Sequence, residues 1–339
     1  MKIRLLGKTP DELKQIALEA GLPAFAGKQM AQWLYGKRVK SIDQMSNLSK
    51  QGREALSRNY EVGMVEPIDV QVSRDGTKKY LFPFNGLDFE AVMIPDDDRK
   101  TLCVSSQAGC KMGCKFCMTG RQGFHGNLDA ADILSQYFAV DEAGELTNTV
   151  FMGMGEPLDN WDSVKRVIEI LTADWGLGWS PKRITLSTIG VLPKLKCFLD
   201  ECKCHLAVSL HNPFPEERLQ MMPVQKAWSE TEVIRLLKQY DFSGQRRVSF
   251  EYTVFHGWND TPRHADELVR ILRHLECRVN LIRFHRIPDF PYGPAEQKDM
   301  EAFRDRLAEG GVIATIRASR GEDIFAACGL LAGKHKEQL

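Results

Sequence analysis

From about residue 100 the chain repeats one unit: a short run of β-formers, a loop, then a helical segment. The runs fall near 101–107 (TLCVSSQ), 148–153 (NTVFMG), 183–188 (RITLST), 205–210 (HLAVSL), 247–254 (RVSFEYTV), 278–284 (RVNLIRF) and 312–317 (VIATIR). Between them, Asp159 to Leu171 carries Val164, Val167, Ile168 and Leu171 at helical spacing. Ser229-x-x-Glu232 caps Val233, Leu236, Leu237 and Tyr240. Thr261-Pro262 opens a helix bearing Leu268, Leu272 and Leu275, and Met300, Phe303 and Leu307 line another. Strands separated by helices pair in parallel through crossovers, which predicts an α/β fold, either a barrel or an open doubly wound sheet. In both, the loops after the strand C-termini are where chemistry sits.

The first 60 residues read differently. Thr9-Pro10-Asp11-Glu12 is a capping box with proline at the first helical position, followed by Leu13, Ile16, Ala17 and Ala20 on one face. Met30, Trp33 and Leu34 mark a second helix, and a third covers about 49–58. Between residues 27 and 60, Lys28, Lys37, Arg38, Lys40, Lys50, Arg53 and Arg58 face only Asp43 and Glu54. Such a bias fits a solvated face or an RNA-contacting one. Residues 67–94 alternate around two turn signals, Asp75-Gly76 and Asn85-Gly86, and predict a small antiparallel unit. Pro95-Asp96-Asp97-Asp98 reads as the linker out of it. The expected organisation is a helical N-terminal domain over 1–62, a β unit and linker over 63–98, and the α/β core over 99–339.

No apolar run approaches the ~20 residues of a membrane span, and the N-terminal MKIRLLGKTPDELKQ has no apolar core of a leader. A cytoplasmic protein is expected. Forty-five basic residues cancel forty-five acidic ones, so net charge neither demands nor excludes a nucleic-acid partner. Nine cysteines, an odd number without a leader, argue against a disulfide scaffold and for metal or redox chemistry.

The cysteines concentrate that chemistry. Just after the first core strand stands Cys110-Lys-Met-Gly-Cys114-Lys-Phe-Cys117. Structural zinc wants four ligands, usually as two C-x2-C knuckles, and this loop offers three. A cluster held by three thiolates leaves one iron open to a substrate. The odd spacing and the missing fourth ligand favour the cluster, with zinc as the other reading.

Here the sequence resembles the radical S-adenosylmethionine (SAM) enzymes, whose signature is C-x3-C-x-aromatic-C. Further motifs narrow the resemblance: Thr101-Leu-Cys103-Val-Ser-Ser-Gln-Ala-Gly-Cys110, Gly153-Met-Gly-Glu-Pro157, Leu186-Ser187-Thr188, Ser209-Leu210-His211 and Gly321-Glu-Asp-Ile-Phe-Ala-Ala-Cys328-Gly. Together they resemble, nearly end to end, the dual-specificity ribosomal and transfer RNA adenine-C2 methyltransferases, relatives of an antibiotic-resistance enzyme that methylates C8 of the same ribosomal adenine.

That resemblance implies a partial (β/α)6 radical SAM barrel with a helical N-terminal accessory domain. It implies one [4Fe-4S] cluster on Cys110, Cys114 and Cys117. SAM would be contacted by Gly155, Glu156, Ser187, Ser209, Leu210, His211 and His285, the last at a position where many relatives have asparagine. Cys328 matches the methyl-carrying cysteine and Cys103 its resolving partner, the two forming a disulfide during turnover; they lie 225 residues apart. Glu90 matches the proton-accepting carboxylate, although read alone it is a surface strand glutamate. Arg283, Arg286, Arg317 and Arg320, near strand ends, are candidates to hold phosphate. Cys197, Cys202, Cys204 and Cys277 match no motif and read as structural.

The implied partners are 23S ribosomal RNA, transfer RNA and a flavodoxin-type electron donor, with a monomer as the default state. No motif separates the C2 enzyme from its C8 relative. A zinc-stabilised RNA-binding protein without activity is the reading from another class.

Overall fold

Ten strands form one sheet, and their spatial order is their chain order. In the computed structural model of the protein, which describes residues 2–244 and 246–333, they are β1 (Asp69–Val72), β2 (Lys78–Phe82), β3 (Phe89–Asp96), β4 (Arg99–Cys103), β5 (Asn148–Phe151), β6 (Ile184–Thr188), β7 (His205–Ser209), β8 (Val248–Val254), β9 (Arg278–Arg283) and β10 (Ile313–Ile316). β1 to β4 pair antiparallel. β4 to β10 pair in parallel. Each parallel strand needs a crossover, and six crossovers carrying helices link seven strands. This is the expected partial (β/α)6 architecture with one more parallel strand at the open edge, where Ile313 is exposed.

The strands owe their stability to burial on both faces, which is why their sequences are nearly continuous apolar runs. Leu102, Phe151, Leu186, Val208, Phe250, Tyr252, Val254 and Leu281 are each almost wholly buried. Two expectations are corrected. Pro95 to Asp98 is not a linker: β3 runs through Asp96, and Asp97, in left-handed backbone, turns the chain straight into β4. The antiparallel strands therefore extend the main sheet. The helix opened by Thr261-Pro262 stops at Leu272, before Leu275, and His274 adopts positive φ just beyond it.

The chain divides into two units. One comprises residues 68–127, 146–160 and 181–339, and contains the whole ten-stranded sheet. The other comprises 1–67, 128–145 and 161–180. In it, helix Pro10–Glu19 is closed by the Thr9 capping box, with the Thr9 N–H donating to Glu12 at 2.6 Å. The second helix starts as expected but widens after Ala31 into a π-helical turn over Gln32–Gly36. Leu13, Ala17, Met30, Leu34, Tyr35 and Leu56 are buried. The Arg4 guanidinium pairs with Asp132 at 2.6 Å and donates to the Gly63 carbonyl. Among the described residues no helix is long and apolar enough to cross a membrane.

Candidate active site

Beyond β4 the chain enters a two-stranded ribbon, Gln107–Gly109 with Phe124–Asn127, which frames the cysteine loop. The Cys110 N–H donates to the Gly123 carbonyl at 2.8 Å, closing the loop at its base. Gly109 has φ +73°, and a Cβ there would lie 2.0 Å from the Gly123 oxygen, so no other residue fits. The Cys117 N–H donates to the Cys114 carbonyl, and the Lys115 N–H to the Met221 carbonyl at 3.0 Å. Folded this way, Cys110, Cys114 and Cys117 all line one cavity at the C-terminal ends of the parallel strands.

Burial pushes the Cys110 thiol up to about 12 and the Cys114 thiol well above its ordinary range, and the neighbouring sulfurs add to both. Three thiols crowded in a dry pocket become thiolates only when cations replace their protons. Three thiolate donors on one loop, without the paired C-x2-C knuckles of a four-ligand zinc site, would hold a cluster and leave one iron open. The donor set therefore fits the implied group.

Opposite the thiols lie the ends of β5 to β8. Gly155 has φ +96°, and a Cβ there would meet the Gln107 side chain at 2.5 Å. The buried Glu156 accepts from the Leu158 N–H at 3.0 Å and the Ile189 N–H at 2.9 Å. Burial still outweighs these donors and raises its pKa to about 7. Ser187, Ser209 and His211 line the same cavity. His211 sits in left-handed backbone, and its Nδ1 accepts from the Thr253 N–H at 3.0 Å. Burial, with Arg218 nearby, lowers its pKa to about 3. The ring is thus neutral, with its proton on Nε2 as a donor. Leu210 takes no part through its side chain, which is fully buried.

Cys328 lines this cavity and also a second one, which it shares with His285, Arg99, Arg283, Arg317 and Arg320. His285 therefore lies apart from the other expected SAM contacts. It bonds Ser319 at 3.1 Å and pairs with Glu322 at 3.2 Å. The Cys328 residue is solvent-accessible, while Cys103 is buried. Despite their separation in sequence, the two thiols lie within electrostatic reach of each other. Burial raises the Cys103 thiol to about 12, loss of solvation around its sulfur raises Cys328 although the residue as a whole is exposed, and Arg317 opposes the rise in each. Arg317 also pairs with the buried Glu251 at 3.4 Å. The disulfide expected between Cys103 and Cys328 is not formed: all nine cysteines are free thiols.

Glu90 is buried, not on the surface. Its Oε1 pairs with Lys79, itself buried, at 3.0 Å, and its Oε2 accepts from the Ala332 and Gly333 N–H groups at 2.7 and 3.0 Å. The short helix Met118–Arg121 and the residue after it hold the same C-terminal segment. The Met118 N–H donates to Gly329, Thr119 to Leu331 and Gln122 to Ala332. The segment carrying Cys328 is therefore tied at once to the cysteine loop and to Glu90. Sequence reasoning missed Lys79, Arg218 and Glu251, since each is an ordinary charged residue until the fold buries it. It placed Arg317 at a phosphate rather than beside two thiols.

Three thiols on the loop after the first strand of a parallel sheet, facing a cavity at the strand ends, define the class of radical SAM enzymes. The family model for the radical SAM superfamily matches residues 104–271, and one described as ribosomal RNA large subunit methyltransferase N-terminal domain matches 3–62. A Porphyromonas gingivalis protein named "Probable dual-specificity RNA methyltransferase RlmN" is 58% identical over 337 residues, 99% of this chain and 96% of the relative. The "Dual-specificity RNA methyltransferase RlmN" of Syntrophus aciditrophicus is 38% identical over 99% of this chain and 98% of its own. A crystal structure of a radical SAM methyltransferase from Sphaerobacter thermophilus superposes with a TM-score of 0.92 at 36% identity, covering 98% of this chain and all of that one. The chain belongs to the dual-specificity RNA methyltransferase RlmN family.

Proposed function

We propose that this enzyme methylates C2 of an adenine in the peptidyl transferase centre of 23S ribosomal RNA, and C2 of the adenine 3′ of the anticodon in transfer RNA. The C2 position rests on membership of the family; the observation that supports the two-cysteine chemistry is that Cys103 lies within electrostatic reach of Cys328, which itself lines the three-thiol cavity. An aromatic C2–H is neither acidic nor nucleophilic enough to attack a sulfonium methyl directly. When bound, the cluster and SAM supply one-electron cleavage of a carbon–sulfur bond, and with it the power to abstract hydrogen.

The chain's residues do the rest. Cys110, Cys114 and Cys117 hold the cluster. Glu156 and Gly155 orient the amino-acid end of SAM, and Ser187, Ser209 and the Nε2 donor of His211 hold its remaining polar groups. The Leu210 backbone completes the contacts in this cavity, whereas His285 faces the second one. Cys328, reachable from both cavities, carries the methyl as a thioether and becomes the link to the base. Arg317 favours the thiolate that this step requires. Glu90 accepts the C2 proton when the Ala332–Gly333 backbone releases its Oε2. Cys103 then attacks the Cys328 sulfur, and a transient sulfur–sulfur bond forms. The bond from that sulfur to the RNA-borne carbon breaks with its electron pair going to the carbon, which takes up a proton to become the product methyl. An external two-electron reductant restores both thiols.

The second cavity suits the RNA. A base must leave its stack to reach Cys328, and Arg99, Arg283 and Arg320 around it, with the exposed Arg286, offer cations to the neighbouring phosphates. The basic helices of the N-terminal unit offer further cations to an RNA backbone. A flavodoxin-type protein is the proposed electron donor, and the enzyme acts in the cytoplasm as a monomer. The test is anaerobic incubation of the cluster-loaded enzyme with methyl-labelled SAM and ribosomal or transfer RNA, followed by nucleoside analysis. Labelled 2-methyladenosine is expected. Labelled 8-methyladenosine would overturn the regiochemistry, and no labelled nucleoside would overturn the activity.

A further inference from the structure

Arg218 heads the largest fully buried side chains of the protein, being 1% exposed. It projects from helix Pro215–Met221, immediately after the Ser209–His211 turn. Its Nε donates to the Leu210 carbonyl at 3.0 Å, its Nη2 to the Ser209 carbonyl at 3.0 Å, and its Nη1 to the Gln225 side-chain oxygen. All three acceptors are neutral, and among the described residues no carboxylate lies within 4 Å of the guanidinium. Burying a cation without an anion is costly.

Besides the neutral His211, two groups that can carry negative charge lie within electrostatic reach. One is Glu230, buried, whose backbone N–H shares the Gln225 oxygen and whose Oε2 has no hydrogen-bond partner. The other is Cys114. The same helix ends by giving its Met221 carbonyl to the Lys115 N–H of the cysteine loop. Arg218 thus touches the turn that presents Ser209 and His211 to the cavity, and it belongs to the element that docks the loop.

We propose that Arg218 is a positioning residue for both SAM and the cluster: its guanidinium fixes the Ser209–His211 turn, and its charge is balanced by the cluster's thiolate shell, favouring the reduced cluster. The proposal rests on reading the cavity as the cluster and SAM site. A fixed positive charge stabilises the state with one more electron, whereas a fixed negative charge opposes it.

The test uses anaerobically reconstituted full-length wild type, R218M, R218K and E230Q, without RNA. The cluster's midpoint potential is read by EPR-monitored titration and SAM affinity by equilibrium dialysis. R218M is expected to shift the midpoint to more negative potential. E230Q, which removes the opposing negative charge, is expected to shift it to more positive potential. R218K keeps the charge but cannot span three acceptors, so its midpoint stays at the wild-type value while its SAM dissociation constant rises about tenfold. A purely structural arginine would lower cluster content in both Arg218 variants and leave the midpoint of the loaded fraction unmoved. An unmoved midpoint in E230Q overturns the electrostatic role even if R218M fails to load, and wild-type SAM affinity in R218K overturns the positioning role. Failure of loaded wild type to bind SAM would instead refute the cofactor reading.

Discussion

Exchanging Glu156 for glutamine separates the charge of this side chain from its hydrogen bonds. The carboxyl is 3% exposed, and burial raises its pKa from the ordinary 4.5 to about 7 against the pull of Thr188, Ile189 and Leu158. The fold therefore prefers the protonated form. Its contribution to stability is fully present below pH 4.5 and is lost as pH rises through 7. At roughly 1.4 kcal/mol per pH unit, ionisation costs the metal-free protein about 3 kcal/mol by pH 8. Glutamine carries no charge to bury, but it cannot accept from both backbone N–H groups, which costs ~1–3 kcal/mol at every pH. E156Q is thus expected to be less stable than wild type at pH 5 and to gain about 3 kcal/mol relative to it by pH 8. Urea unfolding of both proteins at the two pH values, metal-free and anaerobic, gives that difference of differences. A gap between wild type and variant that is the same at pH 5 and pH 8 would refute the reasoning.

Three substitutions probe the sulfur chemistry and its scaffold. Cys103→Ala is expected to leave protein covalently attached to RNA, seen as a shifted band on a denaturing gel; free methylated RNA at normal yield would contradict this. Cys328→Ala is expected to load iron normally yet transfer no methyl to RNA, as measured by iron analysis and labelled SAM. Gly109→Ala places a Cβ 2.0 Å from the Gly123 oxygen at φ +73°, so the cysteine loop must open. Iron content is expected to fall several-fold while the far-ultraviolet circular dichroism of the ten-stranded sheet persists.

The parallel sheet was legible because its strands are buried on both faces and stand out as apolar runs between helical periods. Six of the seven runs match strands β5 to β10 to within two residues, while the run read over 101–107 overshoots β4, which ends at Cys103. The edges were less legible. The ribbon of 107–109 and 124–127 that clamps the cysteine loop is too short and glycine-rich to show a period. Nothing local says that β1 to β3 continue the main sheet, since the Asp97-Asp98 turn joining them to β4 looks like any polar linker.

At the site, thiol spacing was informative because metal ligation imposes it. Glu90 was not, because what buries it is the backbone of Ala332 and Gly333, 242 and 243 residues further on, together with Lys79 across the strand pair. Arg218 lies in PEERLQM, whose charges read as a solvated helix; only the carbonyls of Ser209 and Leu210 make it an interior residue. His285 matched a SAM-contact position by its place in the chain, and the fold turns it toward the second cavity.

The most direct measurement follows the SAM methyl through the protein. Cluster-loaded enzyme is mixed anaerobically with methyl-deuterated SAM and RNA, and the peptide containing Cys328 is weighed by mass spectrometry alongside the RNA over one time course. Deuterium on Cys328 before any reaches adenine, then leaving it as the RNA gains label, is the predicted result. Labelled adenine from enzyme whose Cys328 never carries deuterium would contradict the account.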